Sequence, residues 1–335
     1  MSRYAEVHSN PTGPGDARPT ALQIVKDNGL EGKLVGKVAV ITGVSSGIGI
    51  ETARALDATG ITLFLTARDT AKAKTALAEF WKEDRMHLIQ MDQTSLESVR
   101  NGAEEIICKT TEVNILIANA GVMAVPDLQL TKDGFETQFA TNHLSHFLLF
   151  ELLKPALLKA SSAEFQSRVV VVSASAHRVS GIAPTGDYNY EKSTYNAWAA
   201  YSRSKTANIY MANEIERRFG SQGIHGLSLH PGNVYSGIGR FIPHEVMAAA
   251  VKPIMHVLKN TEQGAATTVV AAVGKEWEGR GGVYLADCAE SERGEDDGSI
   301  LGPRYSSFTY NQKEEGRLWE DSLKMVGSQN YRFKS

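Results

Sequence analysis

The sequence predicts an α/β fold, a single doubly wound parallel sheet with N- and C-terminal extensions, and three observations predict it. Short, continuously apolar segments alternate with helix-period segments along most of the chain. The first apolar segment runs into a glycine-rich turn that opens a helix, TGVSSGIG at 42–49. Each later cluster of chemistry-bearing residues follows such a segment, at the C-terminal strand ends where sheets of this kind bind ligands.

The elements follow in order. Residues 37–42 (KVAVIT) form the first strand, 50–59 a helix and 61–66 (ITLFLT) the second strand. Asp69 is placed to cap the next helix, which the pattern carries to about residue 81. Residues 87–91 and 113–118 (VNILIA) are the third and fourth strands, and 135–158 one long helix. The fifth strand is 168–173 (RVVVVS), followed by a helix over 201–219 and a sixth strand over 226–230. Two longer connections, 181–200 and 233–262, carry aromatic and small residues and would wall a substrate pocket. Residues 1–35 read as an N-terminal extension whose first 20 residues are a flexible lead-in. Residues 36–290 read as the catalytic domain, and 291–335 as an appendage of it with a helix near 314–325.

The chain has 335 residues, of which 42% are hydrophobic and 22% charged, with a formal net charge of −3. Charges of both signs are interspersed, which argues against nucleic-acid binding. No apolar run approaches the ~18 residues of a membrane span, and no signal-peptide pattern opens the chain, so the expected location is cytoplasmic. Cys108 and Cys288 show no C-x-x-C spacing and read as incidental or buried thiols. No metal site is expected.

The turn after the first strand carries a dinucleotide chemistry. Gly43 permits a tight bend, and Gly47 and Gly49 let backbone approach a pyrophosphate. Ser45, Ser46 and Ile48 stand at a helix N-terminus whose N–H groups attract phosphate. This is a Rossmann-type site. A carboxylate ending the second strand would favour a free ribose 2′-hydroxyl, but that strand ends in Ala67-Arg68-Asp69. Arg68 suits a 2′-phosphate and Asp69 has a capping role, so NADP(H) is the expected cofactor. Asp92, after the third strand, either accepts from the adenine amino group or caps the helix that follows. Asn119, Ala120 and Gly121 end the fourth strand, where small residues let the backbone pass beside the adenine ribose.

The turn TGVSSGIG, the tripeptide NAG, Asn142 in TNHLSHFLLF, the segment YSRSK and His230-Pro231-Gly232 occur in one order from about residue 37 to 285. In this the sequence resembles the short-chain dehydrogenase/reductase family. TNHLSHFLL, SASAHR and EQGAATTV resemble its retinol-dehydrogenase and WW-domain-oxidoreductase branch, and the C-terminal third resembles fungal members acting in secondary metabolism. The resemblance implies hydride transfer between nicotinamide and a ketone or alcohol, and a homodimer or homotetramer. Tyr201 would act as the acid–base residue and Lys205 as ribose anchor. Asn142 would help hold a water chain, and Pro231, Gly232, Val234 and Ser236 would contact the carboxamide. Side chemistry supports the pair: residues four apart share a helix face. Bringing a tyrosine from ~10 to ~7 takes about 4 kcal/mol, near what one cation at ~4 Å supplies at an effective dielectric of ~20.

The serine that orients substrate in this branch is the second of a Ser-Ser pair, and that position holds Ala174. Ser173 and Ser175 flank it, and either hydroxyl is a candidate replacement. The missing serine also keeps open a cyclase or isomerase that uses Tyr201 for proton transfer without net redox. His177 reads as a structural loop histidine. Trp198, Tyr235 and Phe241 read equally as pocket lining or as core and dimer packing. An apolar carbonyl compound or alcohol is the expected small-molecule partner.

Overall fold

The computed structural model describes residues 3–183 and 185–327. The last eight residues of the expected C-terminal appendage, 328–335, lie outside them. Its centre is an eight-stranded sheet: β1 Val38–Thr42, β2 Thr62–Ala67, β3 Met86–Gln90, β4 Ile115–Ala118, β5 Ser167–Val172, β6 Ile224–His230, β7 Val283–Ala286 and β8 Ala289–Glu290. The spatial order is β3-β2-β1-β4-β5-β6-β7-β8. All neighbours pair in parallel except β7 and β8. The order reverses direction between β1 and β4, which leaves a crevice above their C-terminal ends.

Alternation along each strand divides the core into two layers. Ala39, Ile41, Leu63, Leu65, Ile115, Ile117, Val170 and Val172 face one side, against the helices Ala21–Asp27, Ile48–Asp57 and Ala266–Val273. Val40, Phe64, Leu116, Val169 and Val171 face the other, against Leu96–Lys109, Ser145–Ala160 and Ala197–Phe219. Strands apolar on both faces are what a sheet covered on both sides requires.

Three expectations are corrected. The first 20 residues are not a loose lead-in where they are described. Arg18 is buried and its guanidinium donates to Val257 O (2.9 Å), Leu258 O and Gly13 O, with Asp16 paired to it at 2.8 Å. Gln263 adds bonds to Asp16 and Arg18, and Ile24 and Val25 enter the core. Val257 and Leu258 lie about 240 residues away, so local sequence could not reveal them. The second correction concerns the long helix: it is interrupted by a π-turn at Ala140–Leu144, centred on Asn142. Such turns are rare and gather at functional sites. The third is the helix-cap alternative for Asp92: Ser95 caps the following helix, and the Asp92 carboxylate accepts from Thr94 N (2.9 Å) and Thr94 Oγ1 (2.8 Å). Of the two free thiols, Cys108 is exposed and Cys288 buried. No helix among the described residues is long and apolar enough to cross a membrane.

The helix Gln312–Val326 lies on the second layer. Trp319 packs edge-on to Phe147 (centroids 4.8 Å) and Phe150 (6.0 Å), beneath Arg218. Its amphipathic stripe, Leu318, Trp319, Ser322 and Val326, is buried as the 3.6-residue period demands.

Candidate active site

The glycine turn is shaped as a cradle. Gly43 has φ +77°, and a Cβ there would stand 2.8 Å from Ala120 Cα. A Cβ on Gly49 would stand 2.3 Å from Gly43 O, so helix and strand close to a distance that only hydrogen allows. Gly47, at φ +70°, precedes the helix Ile48–Asp57 and offers no capping side chain, leaving its first N–H groups for an anion. These features fit a dinucleotide pyrophosphate at Gly43, Ser45, Ser46, Gly47, Ile48 and Gly49.

A buried network fixes the strand ends around that cradle. Thr42 Oγ1 accepts from Asn119 N and Ala120 N, both at 2.9 Å, so it ties β1 to the end of β4. His146 Nδ1 lies 2.9 Å from Asn142 O, a pure acceptor, so Nδ1 carries the hydrogen and Nε2 accepts from Thr42 at 2.8 Å. Burial lowers the His146 imidazole to about 4, consistent with this neutral tautomer. Asn119 Nδ2 donates to Thr42 O at 2.8 Å and its Oδ1 is buried without a partner. Thr42 and His146 were missed as site residues; the hydroxyl standing immediately before Gly43 was the signal for the first.

Asn142 spends its whole carboxamide on neighbours. Oδ1 accepts from Val122 N (2.8 Å), and Nδ2 donates to Val122 O (2.9 Å) and Ser204 Oγ (2.8 Å). Ser204 in turn donates to Tyr201 O at 2.7 Å. The π-turn thus joins the segment after β4 to the helix bearing Tyr201.

Tyr201 and Lys205 lie on one face of Ala197–Phe219, with Lys205 Nζ 5.7 Å from the phenol ring centroid. Both are buried. Lys205 Nζ donates to Val172 O at 2.9 Å and faces Gly121, where an added Cβ would come within 3.7 Å. Burial raises Tyr201 well above the usual phenol value and lowers Lys205 to about 7. Desolvation therefore outweighs the expected pull of the ammonium on the phenol.

The hydroxyls near the end of β5 point elsewhere. Ser173 Oγ donates to Lys205 O (2.7 Å) and Ser175 Oγ to Ile300 O (2.6 Å). Ala174 is the residue that packs with Tyr201, together with Ala176 and Met123. His177 is buried with Nδ1 2.7 Å from Ala174 O and its ring edge-on to Tyr284. Trp198, 41% exposed, stands edge-on to Tyr201 at 6.3 Å, while Tyr235 and Phe241 are exposed. Beyond β6, Gly232 (φ +100°) wraps Lys259, whose Nζ is paired with Asp287 at 2.8 Å. Val234 bridges to Lys259, and Ser236 lies against Gly47. Arg68 is exposed after β2 and Asp69 caps the next helix through Lys72 N at 2.9 Å.

Residues 37–247 match the family model described as short chain dehydrogenase. The chain belongs to that family. Short-chain dehydrogenase/reductase prx1 of Penicillium roqueforti is 46% identical over 97% of this chain and 95% of that protein. The WW domain-containing oxidoreductase of Homo sapiens is 37% identical over 84% of this chain and 69% of that protein. The structure of an uncharacterized protein from Mycobacterium paratuberculosis, 31% identical, superposes with a TM-score of 0.66 over 88% of this chain and 94% of that one. These relatives agree with the branch that the motifs resemble. Family members are oxidoreductases that bind a nicotinamide cofactor.

Proposed function

We propose that this short-chain dehydrogenase uses NADP(H) to interconvert a ketone and an alcohol, working as a reductase on an apolar small molecule. The observation that carries the reading is the buried Tyr201–Lys205 pair beside the glycine cradle, with Ala174 and Met123 as the apolar surface next to the phenol. Arg68, free of a carboxylate at the adenosine end, supports the phosphorylated cofactor, and Asp69 is committed to its helix.

A bound reduced nicotinamide would supply the hydride. Tyr201, kept protonated by burial, would deliver its proton to the carbonyl oxygen as negative charge develops there. Lys205 would anchor the nicotinamide ribose and place positive charge near the phenol. Asn142 would act as a positioning residue, since its carboxamide is consumed by Val122 and Ser204. Pro231, Gly232, Val234 and Ser236 would hold the carboxamide end, while Asp92 and Asn119 to Gly121 would flank the adenosine.

The test is NADPH oxidation by purified protein against a panel of apolar ketones and aldehydes, with Tyr201→Phe alongside. The expected result is turnover with NADPH preferred over NADH, reduced at least 100-fold in the variant while cofactor binding survives. Binding of NADPH with no oxidation across a broad panel would overturn the reductase reading.

A further inference from the structure

We propose that Arg240, in the segment after β6, is a second anchor for the cofactor 2′-phosphate, sharing it with Arg68 and Ser46. This rests on the NADP(H) reading and deepens it. The segment after β6 folds back onto the glycine turn. A Cβ on Gly47 would lie 3.5 Å from Ser236 Cβ, and one on Gly237 would lie 3.6 Å from Ser46 Oγ. Arg240 Nη1 donates to Gly237 O at 3.3 Å, so its guanidinium is drawn back over the glycine that faces Ser46. The Phe241 ring lies against the same guanidinium, 5.0 Å from Arg240 Cζ.

The electrostatics agree with this placement. Burial and then the like charge of Arg68 lower the basicity of Arg240. Among the described residues neither guanidinium is joined to a carboxylate. Two like charges that act on each other with no acid between them repel, and a phosphate dianion held by both would turn that repulsion into paired, charge-assisted hydrogen bonds. Arg68 directly follows β2, the strand whose end holds the adenosine ribose in sheets of this order, so the 2′-phosphate is the group that both would share.

Calorimetric binding of NADPH, NADH, 2′,5′-ADP and 5′-AMP to the wild type, Arg240→Ala, Arg240→Lys and Arg68→Ala tests it. Thermal melts check that each variant folds. Arg240→Ala is expected to weaken NADPH and 2′,5′-ADP about tenfold or more, with NADH and 5′-AMP moving less than twofold and Arg240→Lys falling between. Equal weakening of NADPH and NADH would assign Arg240 to the pyrophosphate and overturn the proposal. If Arg68→Ala abolishes NADPH preference while Arg240→Ala does not touch it, the NADP(H) reading stands and the role of Arg240 falls. If the wild type binds NADPH and NADH alike, the NADP(H) reading itself fails.

Discussion

Burying Lys205 carries a cost that can be read as a pH dependence of stability. Its ammonium loses water and, among the described residues, gains the acceptor Val172 O, and its value falls from 10.5 to about 7. Below about pH 7 the lysine is protonated in both folded and unfolded chains, and the full penalty of a buried charge applies. Between 7 and 10.5 the unfolded chain holds more protons than the folded one, so stability rises with pH. Integrated over that window, the shift amounts to about 5 kcal/mol, and from pH 7 to pH 9.5 to about 3 kcal/mol. Lys205→Met removes this term and leaves the other titrations in place. Urea unfolding of wild type and variant without cofactor, at both pH values, isolates it as a double difference. The wild type should gain about 3 kcal/mol relative to the variant on going to the higher pH. A double difference below about 1 kcal/mol would refute the claim that burial dominates at this lysine.

Two further outcomes follow from the packing. Ala174→Ser sets a hydroxyl beside the Tyr201 ring on extended backbone that serine tolerates, and should raise kcat/KM for small ketones about tenfold or more; an unchanged or lower value for every ketone would show that carbonyls are not oriented from this position. Trp319→Ala should cost about 3–5 kcal/mol in urea unfolding, because Phe147 and Phe150 cannot collapse fully onto the void; a loss under about 1 kcal/mol would mean that the C-terminal helix is not part of the cooperative core.

What was legible in the sequence was whatever repeats locally. The apolar runs at β1 to β6 announce themselves because a strand covered on both faces must be apolar throughout, and the observed strands begin and end within two residues of those runs. Asp69 was legible as a cap because capping is a contact between near neighbours. The burial of Arg18 was not, because its acceptors at Val257 and Leu258 are brought by topology alone. Strand β7 was missed for a related reason: four residues between glycines and polar turns give too short a pattern, and its pairing with β6 comes from the sheet.

The site divides along the same line. Residue types placed Tyr201, Lys205 and the glycines at strand ends, but types do not reveal where a hydroxyl points. Ser173 and Ser175 looked equivalent as neighbours of Ala174, and each proves to be spent on a carbonyl, Lys205 O and Ile300 O. That outcome follows from the extended backbone at Ala174: successive side chains alternate, so residues 173 and 175 both turn away from the face that residue 174 presents to Tyr201. A flanking serine cannot replace the missing one without a one-residue slip of the chain after β5. That slip would break the bond from His177 Nδ1 to Ala174 O and the bond from Ser175 N to His230 Nδ1. The apolar surface beside the phenol is therefore built into the fold, and carbonyl orientation in the proposed reaction must come from Tyr201 itself and from the side chains packed against it, Met123 and Trp198.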